Sequence, residues 1–195
     1  MRKEQAYHIC RAAAAIAGVD YVFVFGSNAI VFWLDEVGLK DTQEILGVFV
    51  SRELDISVSE TDEKLNLVVD ASIGELSYFD ETFGVYAHAN IPQKLFKVPK
   101  SWVGRTKIEQ EPVSRIKIVV PHPVDLVFSK MLGAREKDWV FCENVVRLFN
   151  INCDKIRKLA EEYLIEHPEE KERVEYVLRV LEGRIKKGCY FSPAP

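Results

Sequence analysis

The sequence lacks a long apolar stretch and an excess of positive charge. No apolar run approaches the roughly 20 residues that cross a bilayer, and the opening Met-Arg-Lys-Glu-Gln is too polar for a signal peptide. Acidic residues outnumber basic ones, 30 to 26, which argues against a protein that coats nucleic acid regardless of sequence. We therefore expect a soluble, cytoplasmic protein without a membrane partner.

Several common site motifs are also missing. The Gly-x-Ser-x-Gly nucleophile elbow and the Walker A loop are absent, which argues against a serine hydrolase of that kind and against a P-loop nucleotide site. The four cysteines show neither C-x-x-C spacing nor a zinc-type Cys/His cluster. We interpret them as reduced, mostly buried thiols: Cys10, Cys142, Cys153 and Cys189.

Apolar residues make up 48% of the 195 residues, enough for one domain with a sizeable core, or one domain with a helical extension. Apolar periodicity predicts α/β structure followed by a helical C-terminal half. The predicted elements are helices at 3–17, from 27 and at 61–73, strands at 20–25 and 52–58, a hairpin of 106–110 with 115–120, and helices from 123 onward. We predict an α/β core over 1–121, a helical region packed on it over 122–188, and a loose tail over 189–195.

A glycine and a serine follow the first predicted strand. Gly26 lets the backbone approach a ligand closely, and the unpaired amides of a following helix face an anion. The Ser27 hydroxyl adds another phosphate contact. This pattern predicts a phosphate-binding turn; the alternative is a bare strand–helix turn without a ligand.

Two carboxylates lie on the second predicted strand. Glu53 and Asp55 are two residues apart and therefore share a face. Keeping two negative charges this close costs free energy unless a cation neutralises them. Hard oxygen ligands of this kind suit Mg²⁺. The alternative is the solvated polar face of an edge strand.

A basic cluster follows Pro123. Lys130 and Lys137 are seven residues apart, hence on one helical face if the helix is unbroken, although Gly133 lies between them. With Arg135 and Asp138 nearby, the cluster could hold a triphosphate. The alternative is a solvated helix with internal ion pairs.

These segments, in this order, resemble the nucleotidyltransferase superfamily with the polymerase-β-like fold, and more closely a family of small prokaryotic nucleotidyltransferase-like proteins. The closer match lies in Arg52-Glu53-Leu54-Asp55-Ile56, Ile73-Gly74-Glu75-Leu76-Ser77, Glu81-Thr82-Phe83-Gly84-Val85-Tyr86-Ala87, Pro99-Lys100-Ser101-Trp102-Val103-Gly104-Arg105, Asp125-Leu126-Val127-Phe128-Ser129-Lys130 and Arg135-Glu136-Lys137-Asp138. The last block is also similar to one in AbiEii-type abortive-infection toxins.

The resemblance implies an α/β fold with a twisted mixed sheet, flanking helices and a helical C-terminal half. It implies nucleotide phosphates on Gly26 and Ser27, catalytic Mg²⁺ ligands at Glu53 and Asp55, and triphosphate contacts from Lys130, Arg135 and Lys137. The function so implied is Mg²⁺-dependent transfer of a nucleoside monophosphate from an NTP to a hydroxyl of RNA (tRNA among them) or protein. A toxin–antitoxin-like role with a small partner protein is a family-level expectation.

Three departures from the family pattern keep an alternative open. Glu53 replaces the usual aspartate, Ser27 and Asp55 are farther apart than in the compact signature, and no third carboxylate is evident. Asp70, interpreted as helical, and Asp80, interpreted as loop, are conceivable substitutes. The alternative is a degenerate protein that binds nucleotide, RNA or a partner without chemistry. We interpret the isolated His88 and His122 as structural, and the three tryptophans as packing anchors.

Overall fold

The computed structural model describes residues 1–42, 51–89 and 96–188, and the predicted tail at 189–195 lies outside them. Within these residues it contains five strands, seven α-helices and three 3₁₀ helices. The strands are β1 (Tyr21–Phe25), β2 (Glu53–Ser57), β3 (Tyr86–His88), β4 (Lys107–Gln110) and β5 (Lys117–Val120). The α-helices are α1 (Lys3–Ala17), α2 (Glu63–Ile73), α3 (Tyr78–Phe83), α4 (Pro123–Met131), α5 (Glu136–Leu148), α6 (Cys153–Glu166) and α7 (Lys171–Gly188). The 3₁₀ helices are Ser27–Val37, Lys100–Arg105 and Pro168–Glu170.

The strands form one mixed sheet in the order β3-β2-β1-β5-β4. β1 pairs antiparallel with β2 and parallel with β5, while β3 is parallel to β2 and β4 antiparallel to β5. The predicted α/β fold class, with a mixed sheet, flanking helices and a helical C-terminal half, is confirmed. The hairpin predicted from 106 to 120 is β4 and β5.

Apolar and acidic side chains alternate along β2 and therefore lie on opposite faces of the sheet. Leu54 and Ile56 are fully buried, whereas Glu53 and Asp55 are partly exposed on the opposite face. In the β1–β2 register Val24 lies opposite Ile56, and Phe25 opposite Asp55. One face therefore belongs to the apolar core, and the other presents the carboxylates.

Local signals place the ends of the helices. Gly18 ends α1 in the left-handed conformation, with φ of 68°. Asp62 caps α2 by accepting hydrogen bonds from the amides of Lys64 and Leu65. At the start of α4, Pro123 follows His122, whose ring nitrogen accepts a hydrogen bond from the Val124 amide. These bounds agree with the sequence predictions.

Two local findings refine the sequence predictions. The helix predicted from residue 27 does begin at Ser27, as a 3₁₀ helix capped by Gly26, and Asn28 in it is buried and bonds to β2. The unbroken helix that would place Lys130 and Lys137 on one face is not present, because α4 ends at Met131 and α5 begins at Glu136. The two lysines consequently lie on different helices.

The buried apolar side chains form one cluster that draws on both ends of the described chain, from α1 to α7. Cys10 and Cys142 belong to it, and both are free thiols, as is the half-buried Cys153. Cys189 lies outside the described residues. Within 1–42, 51–89 and 96–188 no helix has the length and apolar character that crossing a membrane requires.

Candidate active site

A cavity of about 350 Å³ opens beside the end of β1. Its walls come from the turn after β1, from β2 and β3, and from the region where α4 gives way to α5. All seven residues that the sequence predicted for the site line it: Gly26, Ser27, Glu53, Asp55, Lys130, Arg135 and Lys137. The fold thus brings the three predicted segments to one place.

Gly26 and Asp55 are in direct contact. A Cβ atom on Gly26 would lie 1.7 Å from the Asp55 Oδ2 atom, so the carboxylate occupies the space that any side chain would need. The backbone of Gly26 has φ of 71° and ψ of −169°, a combination that is essentially restricted to glycine. The turn therefore requires glycine at position 26 for two reasons: the backbone conformation, and the space that the Asp55 carboxylate occupies.

Ser27 is the first residue of the 3₁₀ helix, and no side chain of the described residues caps this N-terminus. Its first amides are therefore available to an anion. Asn28 fixes the turn against β2, since its side-chain amide donates to the carbonyl oxygens of Ser51 (3.1 Å) and Glu53 (2.7 Å). The Asn28 Oδ1 atom in turn accepts a 2.9 Å hydrogen bond from the Thr42 hydroxyl.

β3 supplies partners to both carboxylates of β2. In the β2–β3 register Tyr86 lies beside Glu53, and His88 beside Asp55. The Tyr86 hydroxyl donates a 3.1 Å hydrogen bond to Glu53 Oε2. Burial, together with the Glu53 charge, raises the pKa of Tyr86 to about 12, so the hydroxyl stays protonated and donates.

His88 is the main residue that the sequence analysis missed. Its Nδ1 atom lies 3.2 Å from Asp55 Oδ1, its side chain is 47% exposed, and it lines the cavity. The hydrogen bond with Asp55 raises the pKa of His88, although partial burial opposes the shift. The interpretation of His88 as a structural residue therefore overlooked a cavity position. The signal was the two-residue spacing of Tyr86 and His88, which matches that of Glu53 and Asp55.

Asp138 organises the basic side of the cavity. It is buried, and its carboxylate accepts hydrogen bonds from Arg135 Nε (2.7 Å) and Nη2 (3.1 Å), with Lys130 Nζ 3.9 Å away. The bond with Asp138 raises the pKa of Arg135, and the charge of Asp55 contributes in the same direction. The basic and acidic walls are therefore close enough to interact.

Neither candidate for a third carboxylate belongs to the cavity. Asp70 lies in α2 as expected and accepts a hydrogen bond from the Ala89 amide. Asp80, interpreted as loop, lies in the short helix α3, where it is buried and paired with Arg52 at 3.0 Å. Among the described residues, the carboxylates that line the cavity are those of Glu53, Asp55 and Asp138.

The donor atoms on β2 suit a hard cation that keeps part of its hydration shell. No group of three or more His, Cys, Asp or Glu side chains arranged for a metal occurs in the described part of the chain. A two-carboxylate site of this kind fits Mg²⁺, which commonly takes one or two protein carboxylates and fills its other positions with water and substrate phosphate. It does not fit zinc, which usually takes three or four protein ligands.

Comparison with known families agrees with this geometry. The model of a family described as "Nucleotidyltransferase of unknown function (DUF6036)" matches residues 9–185. The chain belongs to that family, and the predicted membership in a nucleotidyltransferase-like family is confirmed. No curated protein and no solved structure matches the chain significantly.

Proposed function

We propose that this protein transfers a nucleoside monophosphate from an NTP to a hydroxyl group of RNA or protein. The observation that carries the proposal is the meeting of the Gly26-Ser27 turn, a carboxylate pair and a basic cluster in one cavity. Its volume of about 350 Å³ lies within the range of roughly 300–1,000 Å³ typical of small-molecule sites. Family membership supports the same reaction class.

In the proposed complex, each wall of the cavity has its own task. The amides after Gly26 and the Ser27 hydroxyl bind phosphate oxygens. Lys130, Arg135 and Lys137 offset the charge of the triphosphate. Glu53 and Asp55 hold Mg²⁺, which when bound supplies charge neutralisation at the phosphates.

The reaction requires no covalent intermediate on the protein. The acceptor oxygen forms a bond to the α-phosphorus, the bond from that phosphorus to the bridging oxygen breaks, and pyrophosphate leaves. The proton of the acceptor hydroxyl passes to solvent water. The cavity residues orient the NTP so that this displacement proceeds in line.

We further infer that the chain is a distant member of the polymerase-β-like superfamily with a role similar to that of AbiEii-type toxins. This inference is supported by the block from Lys130 to Asp138, whose buried carboxylate binds Arg135 and lies near Lys130. A toxin-like role would include a small partner protein, with RNA such as tRNA, or a protein, as the acceptor.

The test of the proposed function is Mg²⁺-dependent NTP binding. We expect Asp55→Asn to weaken it at least about 10-fold, because one of two ligands loses its charge, the equivalent of roughly 1.4 kcal/mol. Titration calorimetry with ATP, GTP, CTP and UTP, with and without Mg²⁺, measures the effect. Glu60→Gln, at an exposed position on the loop after β2, is the matched control and should bind as the native protein does. Native protein that binds none of the four NTPs would refute the proposal.

A second function, nucleotide binding without transfer, is favoured by two observations. The residue beside Asp55 on β3 is His88, not a carboxylate, and Asp138 is engaged by Arg135. Incubation with labelled NTPs, Mg²⁺ and total RNA separates the two functions. Label transfer that Asp55→Asn abolishes supports the enzyme, whereas NTP binding without transfer supports the degenerate form.

A further inference from the structure

The lining of the cavity includes apolar and aromatic side chains. Phe25, Phe96 and Leu126 line it together with the polar residues of the proposed triphosphate site. Phe25 is buried and lies next to Gly26 in the chain, while Phe96 is half-buried. Their ring centroids are 6.5 Å apart and their planes are inclined by 36°. An aromatic surface thus adjoins the turn proposed to bind phosphate.

The helix α4 contributes one apolar and one charged side chain to the lining of the cavity. Leu126 and Lys130 are four residues apart, so they lie on one face of the helix, about 6 Å apart along its axis. Leu126 is almost fully buried, and Lys130 reaches the basic cluster. The part of α4 that lines the cavity is therefore apolar at Leu126 and cationic at Lys130.

Phe96 is held in place by contacts to the helical half. The neighbouring Lys97 binds Glu170 at 2.6 Å. Arg105, at the end of the 3₁₀ helix Lys100–Arg105, forms two hydrogen bonds, of 3.0 and 2.7 Å, with the buried Asp125. Trp102 packs edge-on against Phe96, with ring centroids 5.4 Å apart. The aromatic surface is therefore preorganised, which lowers the entropic cost of binding a flat ligand.

We propose that Phe96, backed by Phe25, is the stacking surface for the base of the NTP. This rests on the proposed function, because the triphosphate of the same molecule would occupy the polar end. Stacking accepts any base, since each has a π-face. The subsite therefore adds affinity for nucleoside triphosphates over inorganic triphosphate without selecting strongly among the four bases.

The experiment compares ATP and UTP with inorganic tripolyphosphate, in Mg²⁺, on the native chain and two variants. Stacking on one aromatic side chain corresponds to roughly 5- to 100-fold in affinity. We expect Phe96→Ala to lose about that much NTP affinity, while its tripolyphosphate affinity changes less than about twofold. Phe96→Tyr, which keeps the ring, is the matched control and should bind NTPs as the native protein does.

Fluorescence gives a second readout that does not depend on affinity. Of the three tryptophans, Trp102 is the one in ring contact with Phe96. NTPs, but not tripolyphosphate, should change its emission, and Trp102→Phe should remove that change.

The outcomes separate this inference from the function on which it rests. Tripolyphosphate binding with no NTP preference, or a preference that Phe96→Ala leaves intact, overturns the stacking site and leaves the triphosphate site standing. If Phe96→Ala weakens only the binding of a single-stranded oligoribonucleotide, the aromatic surface belongs to the acceptor, and the proposed stacking site for the NTP base is also overturned. Native protein that binds neither triphosphate refutes the proposed function itself.

Discussion

At the scale of single residues, the contact between Gly26 and Asp55 determines the geometry of the cavity. The carboxylate fills the space beside the glycine. The two residues that contact Asp55 here are Gly26, directly after β1, and His88, on β3. The position of this carboxylate is therefore sensitive to substitution at Gly26 even though Gly26 itself carries no functional group.

Gly26→Ala tests that dependence. We expect it to lower the free energy of unfolding by about 2 kcal/mol, because the backbone is strained for alanine. The variant should also displace Asp55, so the loss in the free energy of NTP binding should exceed the loss in the free energy of unfolding. Chemical denaturation and calorimetry measure the two effects.

Gly84→Ala is the matched control. Gly84 also has a positive φ, of 67°, but a Cβ there would meet nothing within 4 Å. We expect it to lose stability of about 1–2 kcal/mol while keeping NTP binding. Equal losses of binding in both variants would contradict a specific role for the Gly26–Asp55 contact.

At the scale of elements, the start of α4 depends on a neutral imidazole. His122 Nδ1 accepts the hydrogen bond from the Val124 amide, which a proton on that nitrogen would abolish. Burial, with Lys155 and Arg105 adding to it, lowers the pKa of His122 below its ordinary 6.5, although Asp125 and Glu36 oppose the shift. Below pH 6.5 the unfolded chain therefore binds a proton that the folded chain resists.

The expected result is a loss of stability on acidification. Between about pH 7 and the lowered pKa of His122, its contribution to the free energy of unfolding should fall, with a slope of at most about 1.4 kcal/mol per pH unit. His122→Asn keeps a capping acceptor that does not titrate. The difference in slope between native and variant protein, from urea denaturation at several pH values, isolates this group from His88 and the carboxylates. Identical slopes would contradict the assignment.

The elements that the sequence predicted are those with strong local signals. α1 ends at a glycine, β2 alternates strictly, and α4 opens at a proline. β3 was not predicted, since its three residues carry no period of their own and depend on pairing with β2. The 3₁₀ form of Ser27–Val37 was not predicted, because apolar periodicity does not distinguish it from an α-helix. Gly133 left the continuity of the helix after Pro123 open, and the structure shows that the helix ends at Met131.

The residues of the candidate site also divide into those with a local sequence signal and those without one. Gly26, Ser27, Glu53, Asp55 and the basic cluster were recognised from short motifs. His88 and Phe96 were not, since both join the cavity only through tertiary contacts, His88 by the register of β3 and Phe96 by the anchoring of its segment to the helical half. Their assigned roles stay predictions, as does the domain boundary at 121.

At the scale of the whole molecule, the α/β and helical halves share one core. Buried side chains of α1, the sheet and α4 to α7 belong to a single cluster. Trp33 illustrates the junction, since its ring packs edge-on against that of His122, with ring centroids 5.2 Å apart. Neither half retains its buried surface without the other.

We therefore expect the two halves to unfold in one transition. Trp33 reports on the first half and Trp139, in α5, on the second. In Trp33→Phe and in Trp139→Phe, urea midpoints from fluorescence and from far-UV circular dichroism should coincide within each variant. Separate midpoints, with one tryptophan changing before the helix signal, would indicate two independently stable units.

The arrangement of the cavity has a consequence for biosynthesis. Its first wall is the turn at Gly26, and its last is the opening turn of α5, where Asp138 holds Arg135. A ribosome delivers the first of these before the second, so a nascent chain that already contains all five strands, which end at Val120, still lacks part of the binding site. Any activity housed there therefore requires that translation has passed Asp138.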